Sequence, residues 1–555
     1  MSVVTHPPRV AYIASGDLVS YSDLLPSNKG RSSLVHSLAY HLDLLDLQSL
    51  DQDHQGIASS NRSEKSKLLS AIAADASSPD SPISNQNTRR ATVYLAHPAT
   101  DQQLTSYHDS SFVNQLSRDL QAGNLESPSS SKRRKLSRSP SPSRSSSPSP
   151  TSETDSSSSA ELHLRPSSSV SAPSRQPRYK RPSTKNQFGL QDDCPTFSGL
   201  HRHISLVAGA SITAAELLAT RQADIAIAWD GGRHHAKKDR ASGFCYVNDV
   251  VLAILALRRP RKLVVTTTIP PNSEQGEAET IRKTTIKRVQ RVLYLDLDLH
   301  WGDGVEEAFH TSPDVVTLSI HHYATGFFPC YATSNHPDRF GPPGSLRGDP
   351  GVGKNCLNIP LSVGASDDTL ERVMENTVQP LVDVWQPEMV VVQCGVDGLA
   401  GDPMAVWNLS ASAYVKAIQR VLGWKKPTLL LGGGGYNSPN AARCWSLIIA
   451  VCLDRFHDHS KRHAAKPNTD NPTPLIQQQT HIPNDNNKTN KGPDTIGFDT
   501  PIPDHKFWPN YAPEYTLNVA AGEMIDQNDE STFESIDKVF SKHIQNLSST
   551  GIHSK

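Results

Sequence analysis

The sequence predicts an α/β fold in which a mostly parallel central sheet is covered by helices on both faces. Short apolar runs of strand length recur along the chain, and stretches of helical periodicity follow most of them. Apolar runs without polar alternation mark strands buried on both sides. Strand–helix alternation implies parallel pairing, because parallel neighbours need a crossover between them.

The elements follow in order. Val10–Ala14 reads as a strand. Leu34, Leu38, Leu42 and Leu45 recur at helical spacing, which predicts a helix from Arg31 to about Leu50. Gly209, Ala210, Ala214 and Ala215 belong to a small-residue helix able to pack closely on a sheet. Asp224–Trp229, Arg291–His300, Val315–His321, Met389–Cys394 and Thr428–Leu431 read as buried strands. Gly243–Leu257, Asp367–Trp385, Ala411–Trp424 and Ala441–Phe456 read as helices. In such folds, sites form beyond the carboxyl ends of the strands.

Only 36% of the 555 residues are hydrophobic, which points to a globular body diluted by polar inserts. Four stretches fit no core: the polar 55–90, the Ser/Pro/Arg-rich 121–186, then 266–288 and the Asn/Pro/Lys-rich 457–500. They are expected to be disordered, since they bury too little apolar surface to offset chain entropy. They interrupt one domain over 8–515, because the motifs of one site lie on both sides of every gap; 516–555 is expected to be an extension with a short helix. A net charge of −1 supplies no bulk field toward nucleic acid or anionic membrane, so direct DNA binding is not expected. Seven cysteines without a CxxC pair suit a reducing compartment. The N-terminus lacks the apolar core of a signal peptide, and no apolar run approaches the ~20 residues of a membrane span. The basic run Lys132–Lys135 fits a nuclear import signal or a solvated linker cluster.

Chemistry concentrates at four strand ends. In RVLYLDLDLH, Asp296, Asp298 and His300 would share one strand face. Two carboxylates and an imidazole at the end of a buried strand are costly unless something satisfies them, and a metal does. Asp397, in QCGVDGLAGDP, is a candidate third ligand. Two carboxylates, one imidazole and an open position describe a catalytic centre; Zn²⁺ fits, and Fe²⁺ or Co²⁺ also suits so hard a ligand set. Gly231 and Gly232 permit a turn that presents His234 and His235, a pair suited to move protons if their carboxylate partners tune them apart. GGGGYN leaves Tyr436 as the first large side chain after a flexible backbone, placed to donate to a developing oxyanion. A phosphate-cradling loop is the weaker reading of those glycines, since GxGxxG spacing and a P-loop lysine are both missing.

GGRHHAKKDRASGFCYVND, YLDLDLHWGDGVEEAF, GFFP, GVDGLAGDP and LGGGGYN together resemble the class I zinc-dependent histone deacetylases. The resemblance covers Val10–Leu50, Ala91–Leu120, Phe188–Phe456 and residues 502–515. It implies an arginase/deacetylase-like three-layer fold and removal of acyl groups from lysine side chains of histones and other proteins. It implies Asp298, His300 and Asp397 as metal ligands, His235 as main general base and acid, and His234 as its electrostatic partner. Asp296 and Asp303 match the carboxylates that orient His234 and His235, and Tyr436 the tyrosine that polarises the amide carbonyl. Gly243, Phe244, Phe328 and Met404 match the acyl-lysine tunnel, Asp193 the rim aspartate that holds substrate backbone, and Arg31 an inner-pocket arginine near the acetate exit. Asp296, Asp298, His300, Phe309, Ser319 and Ile320 fall where the family binds a structural K⁺. A nuclear location follows, with a cytoplasmic pool also compatible.

The chain departs from the family at Trp301, where a histidine is usual, a change expected to tune the site without abolishing it. Pro403 and Pro439 stand where corepressor-dependent members carry inositol-phosphate-binding arginines, so neither corepressor nor inositol phosphate is expected to be required. Together with Met404 they resemble the corepressor-independent class I member and yeast-type relatives. A deacetylase of polyamines or other small amides on the same fold is the runner-up. An arginase-like dimanganese enzyme fits less well, since the tandem histidines and Tyr436 suit a single-metal amide hydrolase, and so does a catalytically silent scaffold, since every mapped ligand and catalytic position is filled.

Overall fold

The computed structural model of the protein describes residues 6–51, 58–73, 88–123, 187–269, 279–330, 344–347, 355–458 and 494–549. Residues 124–186, with Lys132–Lys135, and parts of the other three expected inserts lie outside the described residues.

The strands are β1 (Val10–Ala14), β2 (Leu45–Asp46), β3 (Ala91–Leu95), β4 (Ile225–Ala228), β5 (Arg261–Ile269), β6 (Glu279–Lys287), β7 (Val292–Asp296), β8 (Val315–His322), β9 (Cys356–Leu361), β10 (Met389–Gln393) and β11 (Thr428–Leu431). Nine of them form one parallel sheet in the order β2-β3-β1-β4-β11-β10-β7-β8-β9. The sheet is buried on both faces. From β7, Leu293 and Leu295 join one hydrophobic cluster and Val292 and Tyr294 the other. From β10, Val390 and Val392 point to the first cluster and Val391 to the second. Helices Arg31–His41 and Ser438–Cys452 cover one face, and Leu200–Ala219 and Asp249–Leu257 the other. In the second layer, the absence of a side chain at Gly209 lets the His97 carbonyl lie directly against the helix.

Several expectations are corrected. The helix from Arg31 stops at His41, and Leu45 enters edge strand β2: Asp43 turns the chain in the left-handed region at φ 57°. The 55–90 stretch is not structureless, since Ala58–Ile72 is a helix whose Leu68 and Ile72, four apart, are buried in the core. Within 266–288 the chain forms the antiparallel ribbon β5–β6, in register from Arg261–Lys287 to Ile269–Glu279. β-Branched residues are frequent in both of its arms, a strand signal hidden by the flanking charges. The C-terminal helix is not short: Glu530–Ser549 spans 20 residues and docks Phe533, Ile536 and Phe540 into the main core. Asp367–Trp385 is helical throughout, with a π turn at Met374–Val378.

Candidate active site

The loops after β4, β7, β10 and β11 converge beyond the carboxyl ends of four adjacent strands. β7 ends at Asp296, so Asp298 and His300 lie on the following loop and do not continue the strand. The carboxylates themselves cause this: Asp296 accepts the Asp298 N–H at 3.1 Å, and Asp298 accepts the His300 N–H at 3.0 Å. Such side-chain-to-backbone bonds compete with the sheet ladder. Asp397 reaches across from β10 and accepts the Leu299 N–H at 2.9 Å.

One ligand atom from each of Asp298, His300 and Asp397 lies within 4.8 Å of the others, and all three residues are buried. His300 Nδ1 is 2.9 Å from Asp397 and 3.3 Å from Asp298. Burial opposes charge on His300, but the two carboxylates hold its pKa up at about 10. Burial and the neighbouring Asp298 push Asp397 up, while His234 and His300 outweigh burial at Asp298 and hold it low. Two buried carboxylates beside one imidazole are a costly arrangement that a divalent metal would satisfy, and the donor set fits one. A Cβ on Gly434 would collide with the Asp397 carboxylate, so only glycine there lets the last loop close over the trio. The Gly434 N–H donates to Asp298 at 2.8 Å.

His234 Nδ1 lies 2.8 Å from Asp296, and His235 Nδ1 lies 2.8 Å from Asp303, the partners that the family resemblance implies. Their environments push the two rings apart. Burial resists charge on His234, but Asp296 and Asp298 hold its pKa up at about 9. Burial and the adjacent His234 drive His235 down to about 3, leaving a neutral imidazole. Asp303 is held at about 2: burial raises it, and Lys237, 2.6 Å away, and His235 more than offset this. Burial keeps the Tyr436 hydroxyl protonated, with its pKa well above the ordinary value.

Asp193, Gly243, Phe244, Phe328, Met404 and Tyr436 all line one cavity of about 900 Å³, together with His235 and His300. Asp193 stands at this cavity and accepts the Gly243 N–H at 2.7 Å. Arg31 donates to the carbonyls of Gly433 (3.0 Å) and Gly435 (2.9 Å) and stacks on Trp445. It thereby braces the glycine loop from behind. Asp296 also accepts from the Tyr294 hydroxyl at 2.6 Å and pairs in register with Ser319 of β8; Ile320 follows on that strand, and Phe309 ends the Asp303–Phe309 helix.

A sequence model of the histone deacetylase domain matches residues 62–266 and 278–452, more than half of the chain. The chain belongs to the histone deacetylase family. Its sequence is 34% identical over 364 residues to histone deacetylase 8 of Xenopus tropicalis, covering 65% of this chain and 76% of that protein. To histone deacetylase 8 of Danio rerio it is 34% identical over 363 residues, covering 65% and 74%. To human histone deacetylase 1 it is 34% identical over 364 residues, covering 65% of this chain and 58% of the relative. These similarities mark a class I histone deacetylase. The domain match begins after β1 and β2 and the Arg31 helix, which the structure nonetheless builds into the same sheet and site.

Several residues at this histone deacetylase site escaped sequence reasoning. Lys237 pairs with Asp303. Asp249 accepts the N–H groups of Gly232 (2.9 Å) and Arg233 (2.7 Å) and so shapes the turn before the histidines. Asn248 donates to the carbonyls of His234 (3.2 Å) and Ala236 (2.9 Å). The Asp402 carboxylate ties the Asp397 loop to the Tyr436 loop. All are ordinary polar residues in sequence, and only proximity identifies them. The indole N–H of Trp301 donates to buried Glu306 at 3.0 Å.

Proposed function

We propose that this histone deacetylase is a metal-dependent protein lysine deacetylase acting on acetylated histone tails and other acetyl-lysine proteins. One observation carries the reading: the buried Asp298–His300–Asp397 trio shares its position with His235 and Tyr436 around the cavity whose walls include Phe244 and Phe328. An apolar tunnel suits the four-carbon lysine stem, and the polar centre suits the amide.

Asp298, His300 and Asp397 would hold Zn²⁺, with Fe²⁺ an alternative. When bound, the ion supplies Lewis acidity toward the amide carbonyl and the attacking water. His235, neutral and oriented by Asp303, takes the proton from that water and later delivers it to the lysine nitrogen. His234, charged beside Asp296, favours the negative charge that develops on the carbonyl oxygen. The Tyr436 hydroxyl donates to the same oxygen. Phe244 and Phe328 exclude water from the stem, and Asp193 positions the substrate backbone at the rim.

The catalytic unit is proposed to span 8–515, with 516–555 adding its docked helix. A structural K⁺ is proposed beside Asp296, Asp298, His300, Phe309, Ser319 and Ile320. A chromatin role implies nuclear location with an optional cytoplasmic pool. Neither corepressor nor inositol phosphate is proposed to be needed, and no DNA or membrane contact enters the reaction. Hydrolysis of an acetyl-lysine histone-tail peptide by purified full-length protein tests the central reading. Turnover of acetylpolyamines with none of the peptide would overturn it in favour of a small-amide deacetylase.

A further inference from the structure

Asp303 and Glu307 stand one turn apart on the Asp303–Phe309 helix, so their carboxylates share a side of it. Lys237 bridges them. Its ammonium lies 2.6 Å from Asp303 Oδ2 and 3.1 Å from Glu307 Oε2. The other oxygen of Asp303, Oδ1, faces His235 Nδ1 at 2.8 Å. Four side chains thus form one continuous array, from the imidazole on the cavity wall to Glu307, whose side chain is 54% exposed. Lys237 itself is 7% exposed. An ammonium so deep is costly unless carboxylates satisfy it, and here two do.

The turn that carries Lys237 is held without that ammonium. The Lys237 N–H donates to the Arg240 carbonyl, the Lys237 carbonyl faces His108 Nδ1 at 3.0 Å, and Asn248 donates to the Ala236 carbonyl at 2.9 Å. What the ammonium acts on is Asp303. A carboxylate with Lys237 on one oxygen stays ionised, and an ionised carboxylate only accepts. The proton between Asp303 and His235 therefore sits on Nδ1, and Nε2 keeps its lone pair. Without the ammonium, the buried Asp303 could rotate or take up a proton. A proton donated from Asp303 to Nδ1 would put the neutral imidazole in the opposite tautomer, with Nε2 occupied. We infer that Lys237 is a positioning residue of the reaction: held from outside by Glu307, it locks Asp303 in the orientation that fixes the tautomer of His235. The inference rests on the deacetylase reading and deepens it.

The test measures kcat, KM and bound metal for the full-length protein with an acetyl-lysine histone-tail peptide. Lys237→Met keeps most of the stem and removes the charge. It should lower kcat roughly 10–100-fold, the usual cost of losing a group that orients an active-site side chain, with KM and metal content unchanged. In an Asp303→Asn background the same change should cost nothing further, because its effect passes through Asp303. Glu307→Gln, at the surface, should lower kcat by a smaller factor, again at unchanged KM. Wild-type kcat in a folded Lys237→Met protein overturns the inference. So does an equal loss in the Asp303→Asn background, or a loss of kcat that comes with loss of metal. Should Lys237→Met fail to fold in thermal melts, Glu307→Gln decides: a lower kcat at unchanged KM supports the inference, and wild-type kcat overturns it. A wild type that hydrolyses acetylpolyamine and no peptide sinks the protein-substrate reading alone, and the same variants assayed on that amide still decide the role of Lys237. Hydrolysis of neither overturns both.

Discussion

The Asp402 carboxylate accepts the backbone N–H of Tyr436 at 2.7 Å, and with it the N–H groups of Asn437 (3.2 Å) and Met404 (2.9 Å). One side chain thus fixes the loop that carries Asp397 to the loop that carries Tyr436. Burial pushes the Asp402 carboxyl up, while these N–H groups draw it back down. Asp402→Ala should lower kcat by roughly 10–100-fold, because a shift near 1 Å in a catalytic group costs about that much. Asp402→Asn keeps one acceptor oxygen and should recover part of the loss. Equal rates for wild type and Asp402→Ala would show that the loops hold themselves.

Tyr436→Phe removes the hydroxyl and keeps the ring that faces Phe244 at 5.8 Å between centroids. It should cost on the order of 10²–10³ in kcat with metal content unchanged. A rate within a few-fold of wild type would reduce Tyr436 to a wall residue.

Asp298→Ala, His300→Ala and Asp397→Ala each remove one of three ligands and should abolish turnover and metal retention together. Because a metal that binds only the folded state stabilises it, chelation should also lower Tm in wild type and leave Asp397→Ala nearly unmoved. An Asp397→Ala protein that stays fully active after chelation would contradict the assignment.

His108 supplies a pH prediction away from the metal. Its Nδ1 faces the Lys237 carbonyl at 3.0 Å and must carry the proton, while Nε2 accepts the Asn248 N–H at 2.9 Å. A second proton on the ring would break the latter bond. Burial accordingly lowers its pKa from 6.5 to about 4, against carbonyls of Lys237 and Lys238 that raise it. The folded state therefore binds fewer protons than the unfolded state between these values. The stability involved is full above pH 6.5 and is lost as pH falls toward 4. His108→Gln should remove on the order of 2 kcal/mol, at most, of the stability change between pH 6.5 and 5. Melts of both proteins across that range check this, and parallel pH curves would refute it.

Purified protein should be active without a corepressor and indifferent to inositol tetrakisphosphate. Pro403 follows Asp402, and Pro439 sits in the first turn of the Ser438–Cys452 helix, where its missing N–H costs nothing. The neighbouring Arg443 is spent on the carbonyls of Thr516 (2.9 Å), Tyr511 (2.8 Å) and Glu514 and on Asn440 (2.8 Å). A polyanion would therefore meet no uncommitted guanidinium from Arg443. An inert protein that revives with the phosphate and a corepressor fragment would reverse this view.

The sequence by itself determined the parallel α/β body and the chemistry of its strand ends. Val390–Val392 and Leu429–Leu431 are apolar on every residue, which only a sheet covered on both faces accommodates. Asp298, His300, Asp397, the paired histidines and Tyr436 stood out because such groups are costly beside apolar strands without a purpose. Tertiary structure alone decided the rest. The Ala58–Ile72 helix was invisible because Leu68 and Ile72 are too few to make a period, and only docking beside Val19 and Leu38 makes their burial count. The early end of β7 arose from carboxylates capping their own backbone, a local competition that an apolar pattern does not register. Arg31 was legible through the family resemblance, but its bonds to the carbonyls of Gly433 and Gly435, about four hundred residues away, and the hold of Asp402 on the Tyr436 loop exist only once the sheet brings the loops together.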